Sequence, residues 1–499
     1  MERRKLLLML AAASDFIAAV LMLLEVFLMN ISAWIFLAMC VLVLGLTGVY
    51  LFTVKEHKKS KCLMTVVGAF VALAMFFFGL INPYLNSTVY NVDASVMCEE
   101  ADYKLTQKQA MKDLDYCFHY VRKVHPALMD EVPAEMQANY DAAYSYIGQR
   151  TEITTLEMAT LLEPIVSVLG DAHTYVRPVY PTYHYMKYIE EHNRLFEDIV
   201  AVNGIEMEDL LEQNRKLYSF ECESGGIDWL CQDVSSKEGL AYLGIRTDDG
   251  VVYTYETEEG KWYDITVYTE DYLLYEDYLA CYEWEESDTV EETSFVSYEI
   301  DLEHSLALLS LTSCDCNDEY LQCLKAMFTE VKENNIQNVA VDVRYNGGGS
   351  SLVCNELFRY LDVDSYQEVG SKWRLGLWLV NIPGNVVKNN KHNDLLFSGD
   401  FYVLTSRATF SSAMMMAEYA KDNQFGTIIG TASSNDPNSY GDVVHFTMPN
   451  SHLFMQVSSK KWIRVDQNTN EKYIEPDISC PAYLAYDKLI ETIESKEGQ

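Results

Sequence analysis

The sequence predicts three membrane-spanning helices followed by a mixed α/β domain, on three observations. Residues 6–28, 32–53 and 63–82 are apolar runs, each close to the roughly 20 residues a helix needs to cross the hydrocarbon core. From about residue 303, strand-like apolar segments alternate with helical ones, the pattern of a largely parallel sheet flanked by helices. Charge divides the chain along the same line. Residues 1–82 carry seven Lys/Arg against four Asp/Glu, a net of +3, so the formal −37 of the whole leaves −40 for the remainder. So acidic a surface disfavours nucleic acid and anionic headgroups as partners.

The orientation of the spans follows from their basic flanks. "MERRK" precedes the first run and "KEHKKSK" (55–61) separates the second from the third, whereas "LMNISAW" between the first two has no basic residue. Both basic segments are expected in the cytoplasm, which puts the protein in the cell membrane as a multi-pass chain with everything after the third span extracytoplasmic. The first run lacks a small-residue cleavage site before the second begins, so an anchor is expected rather than a cleaved signal. Asp15 and Glu25 lie in it; carboxylates are costly in lipid and should face a neighbouring helix or an interface. Ten of the twelve cysteines follow the spans, where an oxidising compartment permits a disulfide such as Cys222 with Cys231. "CDC" (314–316) and Cys323 have no second pair at ligand spacing, so neither a metal nor another cofactor is expected.

Residues 105–149 are helical in period, with Met111, Leu114, Phe118 and Val121 on one face and Pro126 and Pro133 dividing the segment into two helices. A third helix begins at "TTLE", where Thr154 and Glu157 have capping-box spacing, and stops at Gly170. "DAHTYV" then turns into a β-prone segment. Residues 195–300 read as antiparallel strands, and "FEDIVAVNGIEMEDLL" (196–211) as a strand, an Asn-Gly turn and a short helix. That unit suits a substrate-binding module and equally an ordinary hairpin followed by a helix. The division expected is 1–84 membrane helices, 85–190 a helical subdomain, 191–302 a β-rich module, 303–485 an α/β core and 486–499 a tail.

Three loops carry candidate chemistry. In "YNGGGSS" (345–351) three glycines between a strand and a helix let backbone N–H groups converge on a developing negative charge, although a plain tight turn reads the same way. The Lys of a phosphate-binding loop is missing there. In "LTSRATFSSAMMMAEYAKDN" (404–423) Ser411 falls between a strand and a helix, a position that suits a nucleophile and equally a helix cap. In "LGDAHT" His173 is an available base, since imidazole titrates nearest neutrality. Other histidines, such as His192 and His392, lie in polar contexts that look like surface.

"VAVDVRYNGGGS", "VLTSRATFSSAMMMAEYAKDNQFGTIIGT", "GDVVHFTMPNS" and "IEPDI" together resemble the S41-type serine peptidases, the relatives of the C-terminal processing (tail-specific) proteases and of the tricorn core protease. The resemblance covers roughly residues 105–485. It implies a ClpP/crotonase-like core, Ser411 rather than Ser412 as nucleophile, and oxyanion donors from Gly347 or Gly348 and the N–H of Ser412. Processing proteases of the bacterial and plastid kind place a lysine about 25 residues after the serine, and "TASSNDPNSYGD" (431–442) has none. The tricorn-like branch uses an earlier histidine, which assigns the base to His173, with Lys460 and Lys461 as substitutes. An assisting acid is implied near the C-terminal "IEPD", with Asp466 and Glu471 as candidates. The activity implied is that of a membrane-anchored serine endopeptidase acting on a peptide or a protein tail. The alternative is an inert peptide-binding ectodomain that signals through the spans.

Overall fold

The structure is a computed structural model that describes residues 2–26, 33–53, 58–81, 98, 100–186, 199–256, 261–275, 277, 294–375 and 378–497. His192, residues 196–198 of the expected strand-turn-helix unit and the side chain of Glu25 lie outside the described residues.

Helices α1 (Glu2–Val26), α2 (Ala33–Thr53) and α3 (Lys58–Ile81) contain apolar stretches of 19, 20 and 19 residues, long enough to cross a membrane. They pack together through Ala18, Phe36, Val43, Ala72 and Met75. Asp15 is buried, as are Ser14 and Thr47, which is where a carboxylate on such a helix escapes lipid.

The next three helices follow their sequence signals closely. α4 (Gln107–Val124) buries Leu114, Phe118 and Val121; Pro126 opens a 3-10 turn, and Pro133 is the N-cap of α5 (Ala134–Gly148). α6 (Thr155–Val166) starts in the capping box of Thr154 and Glu157, and the segment ends at Gly170, whose φ of 56° is the left-handed cap that glycine adopts without steric cost. Strand β1 (Tyr175–Arg177) follows at once.

The middle region differs from expectation. Strands β2 (Ile199–Val202), β3 (Val251–Glu256) and β4 (Trp262–Val267) form an antiparallel sheet, and Asn203-Gly204, both at positive φ, make the expected turn into α7 (Met207–Gln213). Between β2 and β3, however, stand two further helices, α8 (Glu223–Val234) and α9 (Lys237–Tyr242). The Gly225-Gly226 pair argues against a helix there by propensity. Tertiary packing overrides it, because a Cβ on Gly226 would lie 2.8 Å from Phe220 and 2.9 Å from Leu211. Cys222, the N-cap of α8, and Cys231 within the helix stand nine residues apart and form no disulfide with each other. At a 1.5 Å rise per residue their Cα atoms are ~13 Å apart, outside the reach of a disulfide. The expected pairing is therefore corrected.

The core sheet runs β5 (Val296–Asp301), β6 (Leu306–Leu311), β7 (Asn338–Asp342), β10 (Asp400–Thr405), β11 (Thr427–Gly430) and β14 (Ile478–Ser479), with β5 antiparallel and the rest parallel. Helices α10 (Asp318–Glu333), α11 (Leu352–Phe358) and α12 (Ser412–Asp422) pack against it in one large apolar cluster. A second sheet is built from β8 (Gly370–Leu375), β9 (Trp378–Ile382), β12 (Tyr440–Thr447) and β13 (Phe454–Ile463), and β1 joins it by pairing with β13. Residues 486–497 are not a tail. They belong to α13 (Ala485–Glu497), whose Ala485, Leu489 and Ile493 are buried with Leu306, Ala340 and Tyr402 of the core sheet.

Candidate active site

Ser411 stands between β10 and α12 with φ 55° and ψ −122°, a conformation that costs a non-glycine residue about 1–3 kcal/mol and persists only where the surroundings impose it. The imposition is visible. Its N–H donates to Asn435 Oδ1 at 2.9 Å, and the N–H of Phe410 donates to the carbonyl of Asn346 at 3.0 Å. Ser411 occupies the N-cap position of α12, but its side chain makes no cap hydrogen bond to the helix, so its hydroxyl is not used as a cap. Ser412 has the opposite fate: it is buried, and its hydroxyl donates to the carbonyl of Gly349 at 2.8 Å.

The glycine loop lies against this serine. A Cβ on Gly348, whose φ is 100°, would fall 2.6 Å from Ser411 Cβ and 2.9 Å from the Phe410 carbonyl oxygen. Only glycine permits that approach. Asn346, fully buried, anchors the loop by donating to the carbonyl of Leu311 at 2.9 Å and accepting from the N–H of Gly348 at 2.8 Å. That last bond corrects one expectation: the N–H of Gly348 is committed to Asn346 and is not available to an oxyanion. The N–H groups of Gly347, Gly349 and Ser412 meet no acceptor among the described residues, and all three residues border the same cavity.

His173 reaches that cavity from the turn that follows Gly170. Asp171 shapes the turn: its carboxylate accepts from the N–H of His173 (2.9 Å), from the hydroxyl of Thr174 (2.5 Å) and from Nε2 of His125 (3.1 Å). His125 Nδ1 accepts the N–H of Ala127 at 3.2 Å, which assigns the His125 proton to Nε2. Asp171 Oδ1 lies 3.9 Å from His173 Nδ1. The His173 ring stacks on Phe410 at 4.4 Å; it is 7% exposed, and among the described residues neither ring nitrogen has a hydrogen-bond partner. Burial holds the imidazole below its ordinary pKa, against the opposing pull of Asp171 and Asp442. Burial alone would raise the Asp171 carboxyl; the hydrogen bond from His125, with both imidazoles and Thr174, holds it at about 2. Glu221, which accepts the N–H of Ala172 at 3.3 Å, is pushed well above the carboxylate range by burial and by the Asp171 charge.

Ser411, His173, Gly347, Gly349 and Ser412 thus line one cavity of about 610 Å³, walled by Tyr175, Trp229, Trp373, Phe410, Met415 and Trp462. Asp466 and Glu471 do not reach it. The N–H of Asp466 donates to Asp422 Oδ2 at 3.0 Å, and Glu471 pairs with Lys421 and Arg464, each at 3.3 Å. Of those partners, Lys421 and Asp422 belong to the far end of α12, ~16 Å from Ser411 by helical rise. The carboxylate beside His173 is Asp171, with His125 behind it, and neither was singled out from sequence. Asp171 carried a signal, since it stands two residues before His173. His125, between a helix end and Pro126, carried none. Lys460 is tied to Asp442 and lies over the rings of Trp373 and Trp462, and Lys461 lies over Tyr440.

Residues 305–480 match the family model for Peptidase family S41. No curated protein matches the sequence. Among solved structures, a CPAF mutant superposes with a TM-score of 0.56 at 14% identity, over 78% of this chain and 96% of that one. Mature CPAF complexed with lactacystin superposes at 0.53 and 14%, over 79% and 98%. At that identity the likeness is one of fold: an α/β architecture of mixed sheets and helices shared almost from end to end with CPAF. The family match runs from β6 to Cys480 beside β14 and so includes both the glycine loop and the Ser411 loop. Residues 305–480 thus match peptidase family S41, and that match supports a serine-type peptidase, a hydrolase of peptide bonds.

Proposed function

We propose that the chain is a membrane-anchored endopeptidase whose nucleophile is Ser411 and whose general base is His173. The observation that carries this reading is the meeting of a strained, uncapped serine, a buried imidazole with unpartnered nitrogens and three uncommitted N–H groups around one cavity. Asp171 Oδ1 faces Nδ1 at 3.9 Å, where its charge favours the proton on that nitrogen and leaves Nε2 to work on the substrate side. His173 accepts the Ser411 hydroxyl proton as Oγ attacks the peptide carbonyl. The carbonyl electron pair moves onto oxygen, where the N–H groups of Gly347, Gly349 and Ser412 are the candidate donors. His173 then delivers the proton to the leaving amine, and the acyl-enzyme is hydrolysed by a water that His173 deprotonates in turn. His125 is a positioning residue: by donating to the outer oxygen of Asp171 it keeps that carboxylate ionised and turned toward the base.

The core is read as ClpP/crotonase-like, supported by the parallel run β6–β7–β10–β11 with its active loops at the strand ends. The substrate is an extended peptide or protein tail on the extracytoplasmic side, a placement supported by the basic flanks of the spans. A fluorophosphonate probe on the full-length chain in right-side-out vesicles tests the whole reading. Parent protein should label and Ser411→Ala should not, while His173→Ala and His173→Gln should lose nearly all hydrolysis. Absence of labelling in the parent would favour the inert ectodomain; near-parent activity of His173→Gln would move the base to Lys460.

A further inference from the structure

The turn that carries His173 brings together more than a base and its acid. One ligand atom each from Asp171, His173 and Glu221 lie within 4.8 Å of one another. His173 is more than nine-tenths buried, and among the described residues neither ring nitrogen has a hydrogen-bond partner. Asp171 divides its oxygens: Oδ2 accepts from His125 and Thr174, whereas Oδ1 accepts only the N–H of His173. Two carboxylate oxygens and an imidazole nitrogen therefore converge with coordination capacity to spare.

We propose that Asp171, His173 and Glu221 bind a divalent transition cation of the Zn²⁺ class, and that its binding switches the peptidase off. One nitrogen and two carboxylate oxygens, with a fourth position open to water, suit zinc; calcium takes six to eight oxygens, and magnesium near-ideal octahedral geometry. Ligands at 2.0–2.2 Å around a tetrahedral ion stand ~3.4 Å apart, so side-chain rotation of about an ångström closes the site. The route proposed for the ion is through a cavity whose lining does not include Ser411. Glu221 also lines a second cavity of about 450 Å³ that holds Glu208, Glu212 and Glu223, together with the cations Arg215 and Lys472. Lys472 donates its ammonium to the Glu221 carbonyl at 2.8 Å, and Arg215 lies over the Phe220 ring at 3.7 Å, so neither is hydrogen-bonded to the Glu221 carboxylate. The inhibitory half of the proposal rests on His173 being the base. A nitrogen lone pair given to the metal cannot accept the Ser411 proton, and a ring turned to bring Nδ1 onto the ion no longer presents Nε2 to Ser411.

The test titrates ZnCl₂ into chelator-stripped, detergent-purified full-length protein carrying Ser411→Ala, followed by calorimetry. One saturable site is expected, weakened in Ser411→Ala/Glu221→Gln by at least the ~10- to 100-fold that loss of a supporting partner costs a metal site. Glu221→Asp, which keeps the charge but shortens the reach, should also weaken it and serves if the glutamine variant does not fold. Co²⁺ in place of Zn²⁺ should give d–d bands without thiolate charge transfer. In the active parent, hydrolysis should cease over the same Zn²⁺ range and return with EDTA, whereas the hydrolysis that Glu221→Gln shows in EDTA should persist through that range. Equal affinity with and without Glu221, or a thiolate signature, would overturn the site. Saturable binding that leaves hydrolysis untouched would overturn the switch and, with it, His173 as the base; loss of hydrolysis in His173→Ala with no zinc binding in the parent would overturn the site alone.

Discussion

Helix α12 has an acidic cluster at each end, and the two do different work. At its N-terminal end Asp171 is fully buried, receives three hydrogen bonds and stands beside an imidazole that has no other polar partner. At its C-terminal end Asp422 receives two bonds from Arg464, at 2.9 Å each, and Glu471 shares the same guanidinium. Both clusters are built from carboxylates held by cations or donors. The first faces a group that can give and take a proton near neutrality; the second faces a guanidinium that never loses its charge. An acid's role is set by what it faces, so on the proposed mechanism the first cluster serves chemistry, while the second locks the segment after β13 onto the helix.

The largest effect should come from the serine between the two clusters. Ser411→Ala is expected to lower kcat by about 10⁵–10⁶-fold, by analogy with nucleophile deletions elsewhere, with an unchanged melting curve. Ser412→Ala should cost about 1 kcal/mol of stability through its lost bond to Gly349 and leave turnover within tenfold. A reversed pair of results would move the nucleophile by one position. Next, Asp171→Asn should reduce kcat by roughly 10²–10⁴-fold, the range for an acid that orients and charges a catalytic imidazole. Comparable loss in Glu471→Gln would reverse the comparison between the clusters.

Stability should discriminate in the other direction. Asp422→Ala leaves the nearly buried Arg464 without its principal partner and should destabilise by about 3–5 kcal/mol in urea unfolding, while kcat per folded molecule stays near the parent value. The pH profile gives a smaller but sharper signal. With His173 as the proposed base its working form is neutral, and burial lowers its pKa, so the acidic limb of kcat/KM should lie below the ordinary value of about 6.5. Asp171 opposes that shift because its charge favours the imidazolium. Removing the charge in Asp171→Asn should therefore move the limb further toward acid, and Glu471→Gln should leave it in place. The smallest effect is expected from Asp466→Asn: its backbone N–H makes the bond to Asp422, so activity and melting temperature should both stay close to the parent.

The halves of the site differ in how plainly the sequence announced them. The Ser411 half lies within one continuous α/β unit, where glycines and a strand-to-helix joint recur at short range, and its loops could be read from residues 338–423 alone. The identity of the acid was a different matter. Asp466 and Glu471 lie nearer to Ser411 in sequence, yet α12 runs away from the serine and carries their partners to its far end. Which glycine N–H stays uncommitted depended on the rotamer of Asn346, and the helical character of 223–242 on packing around Gly226. Neither leaves a periodic trace.

What the sequence by itself determined is what short-range chemistry controls: three apolar runs with basic flanks, the helix punctuation at Thr154, Gly170, Pro126 and Pro133, the Asn203-Gly204 turn, and the strand-helix alternation after residue 303. What only the tertiary structure decided is which distant groups face one another. The pairing of β1 with β13, and the bond that the Ser458 N–H donates to Thr174 Oγ1, dock the His173 turn onto the second sheet and so bring it to the Ser411 cavity. The same docking leaves His125, Asp171 and Glu221 around one imidazole. Local propensity acts over a few residues, whereas these contacts join segments 46 to 284 residues apart, and their partners are chosen by which surfaces can be buried together.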